Sequence, residues 1–134
     1  MGVDEAMIVA GIGCRKGASA DDVGAAIAHA LDRAGFAADG LDLIATSAAK
    51  GGEPGIAAAA AALGVPLVLV PQSDLEDASP RTQTRSERVV ALTGVPSVAE
   101  AAALAAGGPQ ARLILPRVAV GPATCALVDT GVVP

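Results

Sequence analysis

Aromatic side chains are almost missing from this chain: it has no Trp or Tyr, and Phe36 stands alone among 134 residues. Sequence-tolerant binding of single-stranded nucleic acid relies on bases stacked over aromatic rings, so a nucleic-acid partner is not expected. Positive charge is also short, with 9 Lys and Arg against 14 Asp and Glu and a net charge of −5. That balance argues against a general polyanion binder, although the cations are unevenly placed and leave room for a local basic pocket. Cysteine is confined to Cys14 and Cys125, far apart and without CxxC spacing, and there is one histidine, His29. Neither a disulfide framework nor a zinc site follows from that set, so no metal and no cofactor is expected. Apolar runs stay short of the roughly 20 residues of a membrane span. The start, Met1-Gly2-Val3-Asp4-Glu5, is acidic rather than cationic, unlike a signal peptide, and Ala6 occupies the position where the myristoylation pattern wants Ser or Thr. A cytoplasmic location without a membrane partner is the expectation.

What the chain does have is 52% hydrophobic residues, so its core must be built from Ala, Val, Leu and Ile, with helices in close approach. The length corresponds to a single domain over 1–134, with its core at about 7–130. An apolar stretch at 7–12 reads as a strand, followed by a glycine turn and a helix from about 20 to 34. In that helix Val23, Ala26, Ile27, Ala30, Leu31 and Ala34 recur with the period of one buried face. Ser19 suits its N-cap, and Gly35 suits its C-terminal end. A short strand near 42–46 follows, then a polar glycine-rich loop and an Ala-rich helix ending at Gly64. "VPLVLV" at 65–70 is a continuous apolar run, as expected of a strand covered on both faces. Ser73–Glu76 reads as a capping box, residues 79–88 as a loop running into a helix near 86–93, and Ser97–Glu100 as a second capping box. The Ala-rich helix after it stops at Gly107-Gly108. "ARLILPRVAVG" and "ATCALVD" form a strand pair around Gly121-Pro122. Strands alternating with helices predict an α/β fold: one three-layer domain, a mixed and mostly parallel sheet with helices on both faces, and a C-terminal strand pair.

The junction "GIGCRKGAS", residues 11–19, is the first candidate site. Position 16 is Lys rather than the last glycine of GxGxxG, and Lys16-Gly17 reverses the order a P-loop needs. A general anion site remains: free N–H groups at a helix start, its positive dipole end, and the cations Arg15 and Lys16. The bland alternative is a tight turn with both cations in solvent. The loop Thr46–Gly55 also follows a strand, so Lys50 and Glu53 are expected at the same sheet edge. There Glu53 is a candidate general base or simply a favourable acid at a helix start. Arg81, Arg85 and Arg88 form a third cationic group, either a solvated loop or a lid over an acidic ligand. Cys14 beside Arg15 has the setting for a lowered pKa, but no histidine partners it as a nucleophile. His29 falls opposite the apolar stripe of its helix, and Glu100 is explained by its capping box.

Four stretches in order, "GIGCRKGAS", "TSAAKGGEPGI", "LGVPL" and "TGVPSVAEAAALAA", resemble the CobE/CbiG C-terminal family of cobalamin biosynthesis proteins over nearly the whole chain. That family usually reads Thr-x-Asp-x-Lys-x-x-Glu-x-Gly in the second loop; Thr46, Lys50, Glu53 and Gly55 match, and Ala48 replaces the acid. Ser86 matches a serine the family tends to keep, and Pro116-Arg117 stands where it often has a Lys. The resemblance implies that Gly13, Cys14, Arg15, Lys16, Gly17, Ser19, Thr46, Lys50, Glu53, Arg81, Arg85 and Ser86 bind a carboxylate-rich precorrin or corrinoid intermediate. It implies a carrier or accessory factor among other cobalamin-pathway enzymes. The alternative is a cobalt-precorrin-5A-type hydrolase that opens a lactone and releases a two-carbon aldehyde, with Glu53 or Lys50 as weak catalytic candidates.

Overall fold

The computed structural model of the protein describes residues 7–131, so the readings made for Met1–Ala6 lie outside the described residues. The glycine-flanked apolar stretch forms β1 (Ile8–Cys14). The helix after it, α1 (Ala20–Ala34), buries Val23, Ala26, Ile27, Ala30 and Leu31, the stripe its spacing predicts, and leaves His29 exposed. Its start is a complete capping box between Ser19 and Asp22, and its end is Gly35 in the left-handed conformation. β2 (Leu43–Ser47), α2 (Pro54–Leu63) and β3 (Leu67–Val70) repeat the strand–helix alternation. Both crossovers step the same way from β1, so α1 and α2 lie together on one face of the sheet.

The chain then changes side. α3 (Gln72–Ala78), α4 (Glu87–Thr93) and α5 (Val98–Gly107) precede the hairpin of β4 (Arg112–Val120) and β5 (Ala123–Asp129). The sheet order is β3-β2-β1-β5-β4. β1, β2 and β3 pair in parallel, and β5 runs antiparallel to both β1 and β4. Two cores result, one under α1 and α2 and one under α3 and α5, with the sheet between them. This is the three-layer α/β domain with a mixed sheet that the sequence implies. Among the described residues no helix is long and apolar enough to cross a membrane.

Two local readings are corrected. "VPLVLV" is covered only in part: Leu67 packs on one core and Val68 and Val70 on the other, but β3 is an edge strand and Leu69 is 46% exposed. Ser73 does not cap a helix, because α3 begins one residue earlier with Pro71 as N-cap. The Pro71 carbonyl accepts the N–H groups of Asp74 and Leu75, and the amide of Gln72 bonds Glu76 Oε2 at 3.1 Å.

Candidate functional site

A cleft of about 1050 Å³ opens at the carboxyl ends of the parallel strands, at the upper end of the roughly 300–1,000 Å³ common for ligand pockets. It lies where the chain leaves β1 toward β2 on one side and borders the returning β5 on the other, the switch point at which open α/β sheets hold ligands. One rim is the turn after β1, with Gly13, Cys14, Arg15 and Lys16; beside it stand Ser47, Ala49 and Lys50 from the loop after β2. The opposite wall is mixed: Leu75 of α3, Val89 and Leu92 of α4 and Val98 at the start of α5 are apolar, and Gln72, Ser86 and Thr93 are polar. The β4–β5 hairpin closes the third side with Arg117, Gly121, Pro122 and Thr124.

Close backbone approaches bring these loops together. Arg15 N–H donates to the Pro122 carbonyl at 2.9 Å, tying the first turn to the hairpin. At Gly55 a Cβ would lie 2.1 Å from the Ala18 carbonyl oxygen, so only glycine lets the start of α2 sit against the turn before α1. Gly17 N–H donates to Glu53 Oε1 at 2.9 Å, a second tie between the same two loops.

Arg15, Lys16, Lys50 and Arg117 line the cleft; among the described residues no carboxylate does, and none of the four has an ion-pair partner. Four of the chain's nine cations therefore gather in one concavity of a protein whose net charge is −5. Gly13, Cys14 and Ser86 also line it; the Ser86 hydroxyl caps α4 by accepting Val89 N–H at 3.3 Å. The other candidates are engaged elsewhere. Thr46 is fully buried, its hydroxyl donating to the Ile12 carbonyl at 2.8 Å to join β2 to β1. Arg81 turns to the carbonyls of Leu104, Gly108, Pro109 and Ala111 at the end of α5. Arg85 pairs with Glu87 at 2.6 Å on the surface, and the side chain of Arg88 lies outside the described residues.

Several of the N–H groups expected to be free at the start of α1 are taken by the chain's own side chains. Ser19 N–H donates to Asp22 Oδ2, Asp22 N–H to Ser19 Oγ, and Gly17 N–H to Glu53. The cations Arg15, Lys16, Lys50 and Arg117 are thus the main means of meeting an anion at this cleft. Cys14 also departs from the reading given above. Burial raises its thiol pKa above the ordinary 9.0; nearby Lys50 lowers it and Glu53 raises it again, with a net increase. It is a neutral thiol near pH 7, as is Cys125, which burial pushes up to about 12.

Two residues outran the sequence reading. Ser97 Oγ does accept Glu100 N–H at 3.3 Å, but the Glu100 carboxylate does not return to its N-cap. It is fully buried and accepts three backbone N–H groups, from Gln83 at 2.6 Å, Thr84 at 2.9 Å and Arg117 at 2.9 Å. Burial alone would raise its pKa. The hydrogen bonds from Arg117, from the Thr84 hydroxyl and N–H, and from Gln83 outweigh burial and hold it below the ordinary 4.5. Arg117 is the other. A proline inside a strand pattern signals an edge or a bulge, and Pro116 was the mark that this residue leaves the ladder. Among the described residues no three His, Cys, Asp or Glu gather as metal ligands.

Fold and cleft together define a class, an open mixed α/β domain with a cationic, half-apolar crevice at its switch point. Within that class the match to known proteins is specific. The family described as "Cobalamin synthesis G C-terminus" matches residues 8–128. The chain belongs to that family and is a protein of cobalamin biosynthesis. It is 39% identical over 120 residues to Protein CobE of Sinorhizobium sp, covering 90% of this chain and 78% of that one. The crystal structure of CobE, a protein from the cobalamin (vitamin B12) biosynthetic pathway, superposes with a TM-score of 0.89 at 34% identity, over 96% of this chain and 94% of that one. A cobalamin biosynthesis protein from Agrobacterium tumefaciens, solved as chiG, gives 0.73 at 44% identity, over 91% and 97% of the two chains.

Proposed function

We propose that this domain binds a carboxylate-rich precorrin or corrinoid intermediate in the cleft after β1, as a carrier or accessory factor of the pathway. One observation carries the reading: Arg15, Lys16, Lys50 and Arg117 line the cleft, with no acidic side chain beside them among the described residues. Unpaired cations in a concave site attract an anion, and guanidinium groups grip carboxylates in a bidentate fork. A precorrin carries acetate and propionate chains around a largely apolar ring. The cationic rim suits the chains, while Val89, Leu92 and Val98 offer apolar surface for the ring. Binding is favoured over lactone hydrolysis because Glu53, the candidate base, is committed to Gly17 N–H and stands outside the cleft lining.

The test is an absorbance titration with the pathway intermediates and with uroporphyrin, a tetrapyrrole bearing a carboxylate on every peripheral chain. A shifted spectrum that weakens with salt is expected. Arg15→Ala and Lys50→Ala should each reduce affinity by about tenfold, the loss of one charge-assisted hydrogen bond. Unchanged affinity in both variants overturns the cleft assignment. Release of a two-carbon aldehyde from a lactone-bearing precursor would instead support the hydrolase.

A further inference from the structure

β4 is irregular where it borders the cleft. Leu115 pairs with Leu127 and Val118 with Cys125, so Pro116 and Arg117 together oppose the single residue Ala126. Pro116 has no N–H to give the ladder, and the bulge takes Arg117 out of it. A freed backbone N–H at a partly buried position needs an acceptor. Here Glu100 Oε2 supplies it at 2.9 Å from the layer behind the sheet. The other oxygen, Oε1, takes Gln83 and Thr84 N–H, in the loop that leads to Ser86 and α4. One buried carboxylate thus joins the strand carrying a cleft cation to the loop carrying the opposite wall.

We propose that Glu100 is a positioning residue for the ligand cleft: it fixes the β4 bulge so that the Arg117 guanidinium faces the same volume as Arg15 and Lys50. Arg117 is accordingly a ligand-binding residue, the cation on the hairpin side of the cleft. This rests on the polyacid-binding reading above. Glu100→Gln is the informative change, because an amide has one oxygen and one NH₂ where the site presents N–H donors on both sides. Either Arg117 N–H or the 83–84 loop must lose its acceptor.

The experiment is a double-mutant cycle in uroporphyrin affinity, with folding checked by circular dichroism. Arg117→Ala should weaken binding by about tenfold, Glu100→Gln should weaken it comparably, and the double variant should be little worse than Arg117→Ala alone. Combined with Lys50→Ala, Glu100→Gln should instead add in full. Wild-type affinity in folded Glu100→Gln, or full additivity with Arg117→Ala, overturns the proposal. If Glu100→Gln does not fold, Glu100→Asp enters the same cycle, its shorter carboxylate unable to span both partners. Amide exchange in the unaltered protein decides independently: Arg117 N–H should be protected like a ladder amide, and free exchange there overturns the positioning role. Failure of the unaltered protein to bind uroporphyrin overturns the ligand reading, and the exchange data still decide whether Glu100 holds the bulge.

Discussion

Cys14 lies half-buried in the cleft with charges of opposite sign close by, which makes it a reporter of the electrostatics there. Its thiol is raised by burial, opposed by Lys50 and reinforced by Glu53. Thiolate is the reactive form, so alkylation by iodoacetamide near neutral pH should be slow. Lys50→Ala should slow it further by removing the charge that favours thiolate, and Glu53→Gln should speed it. The measurement is the alkylation rate against pH with Cys125 replaced, although that thiol is buried. Opposite signs for the two variants confirm that both charges act on the cleft; a common sign contradicts it. The sequence placed Cys14 beside Arg15 and so pointed to a lowered pKa. A neighbour in the chain is not a neighbour in the field, and the charge that tells comes from the loop after β2.

The helix α5 shows how an almost ring-free composition becomes a fold. It is buried all round from Ala99 to Leu104, and its alanines let it lie close to the sheet. At Gly11 of β1 a Cβ would sit 1.9 Å from the Ala99 carbonyl oxygen and 2.8 Å from Ala103 Cβ. Gly11→Ala should therefore cost about 1–3 kcal/mol or more, the range for overpacking a core. Gly24 of α1 has negative φ and open space around its Cβ position, so Gly24→Ala should stabilise by about 0.5–1 kcal/mol. Chemical denaturation of the two variants checks both signs. Elements of this kind were legible: the α1 stripe, its caps and the stop at Gly107-Gly108 follow from local spacing. The edge position of β3 and the Pro71 start of α3 were not, since both depend on what packs alongside.

Across the whole molecule the charges are sorted. Among the described residues, a chain of net charge −5 keeps four cations unpaired in one cleft and buries one carboxylate, Glu100, behind it. The buried acid makes global stability depend on pH with a definite sign. Its folded pKa lies below the ordinary 4.5, so below that value the unfolded chain takes up the proton first. The stabilisation is present above about pH 4.5 and is lost as pH falls through the folded value. Thermal melts should shift downward between about pH 5 and pH 3, and Glu100→Gln should flatten that part of the profile while lowering stability at neutral pH. A variant whose acid limb matches the parent would show that other carboxylates control it.

The order of strands and helices, the small-residue core and the candidate turns with Arg15, Lys16 and Lys50 are properties of short stretches, and spacing along the chain determines them. Which cations share a cleft is a property of contacts between residues far apart in sequence. Folding therefore decided that Arg117 joins the rim, that Arg81 and Arg85 leave it, and that Glu100 serves β4 and the 83–84 loop rather than its own helix. A carboxylate goes to the strongest donors within reach, and reach is set by packing across layers.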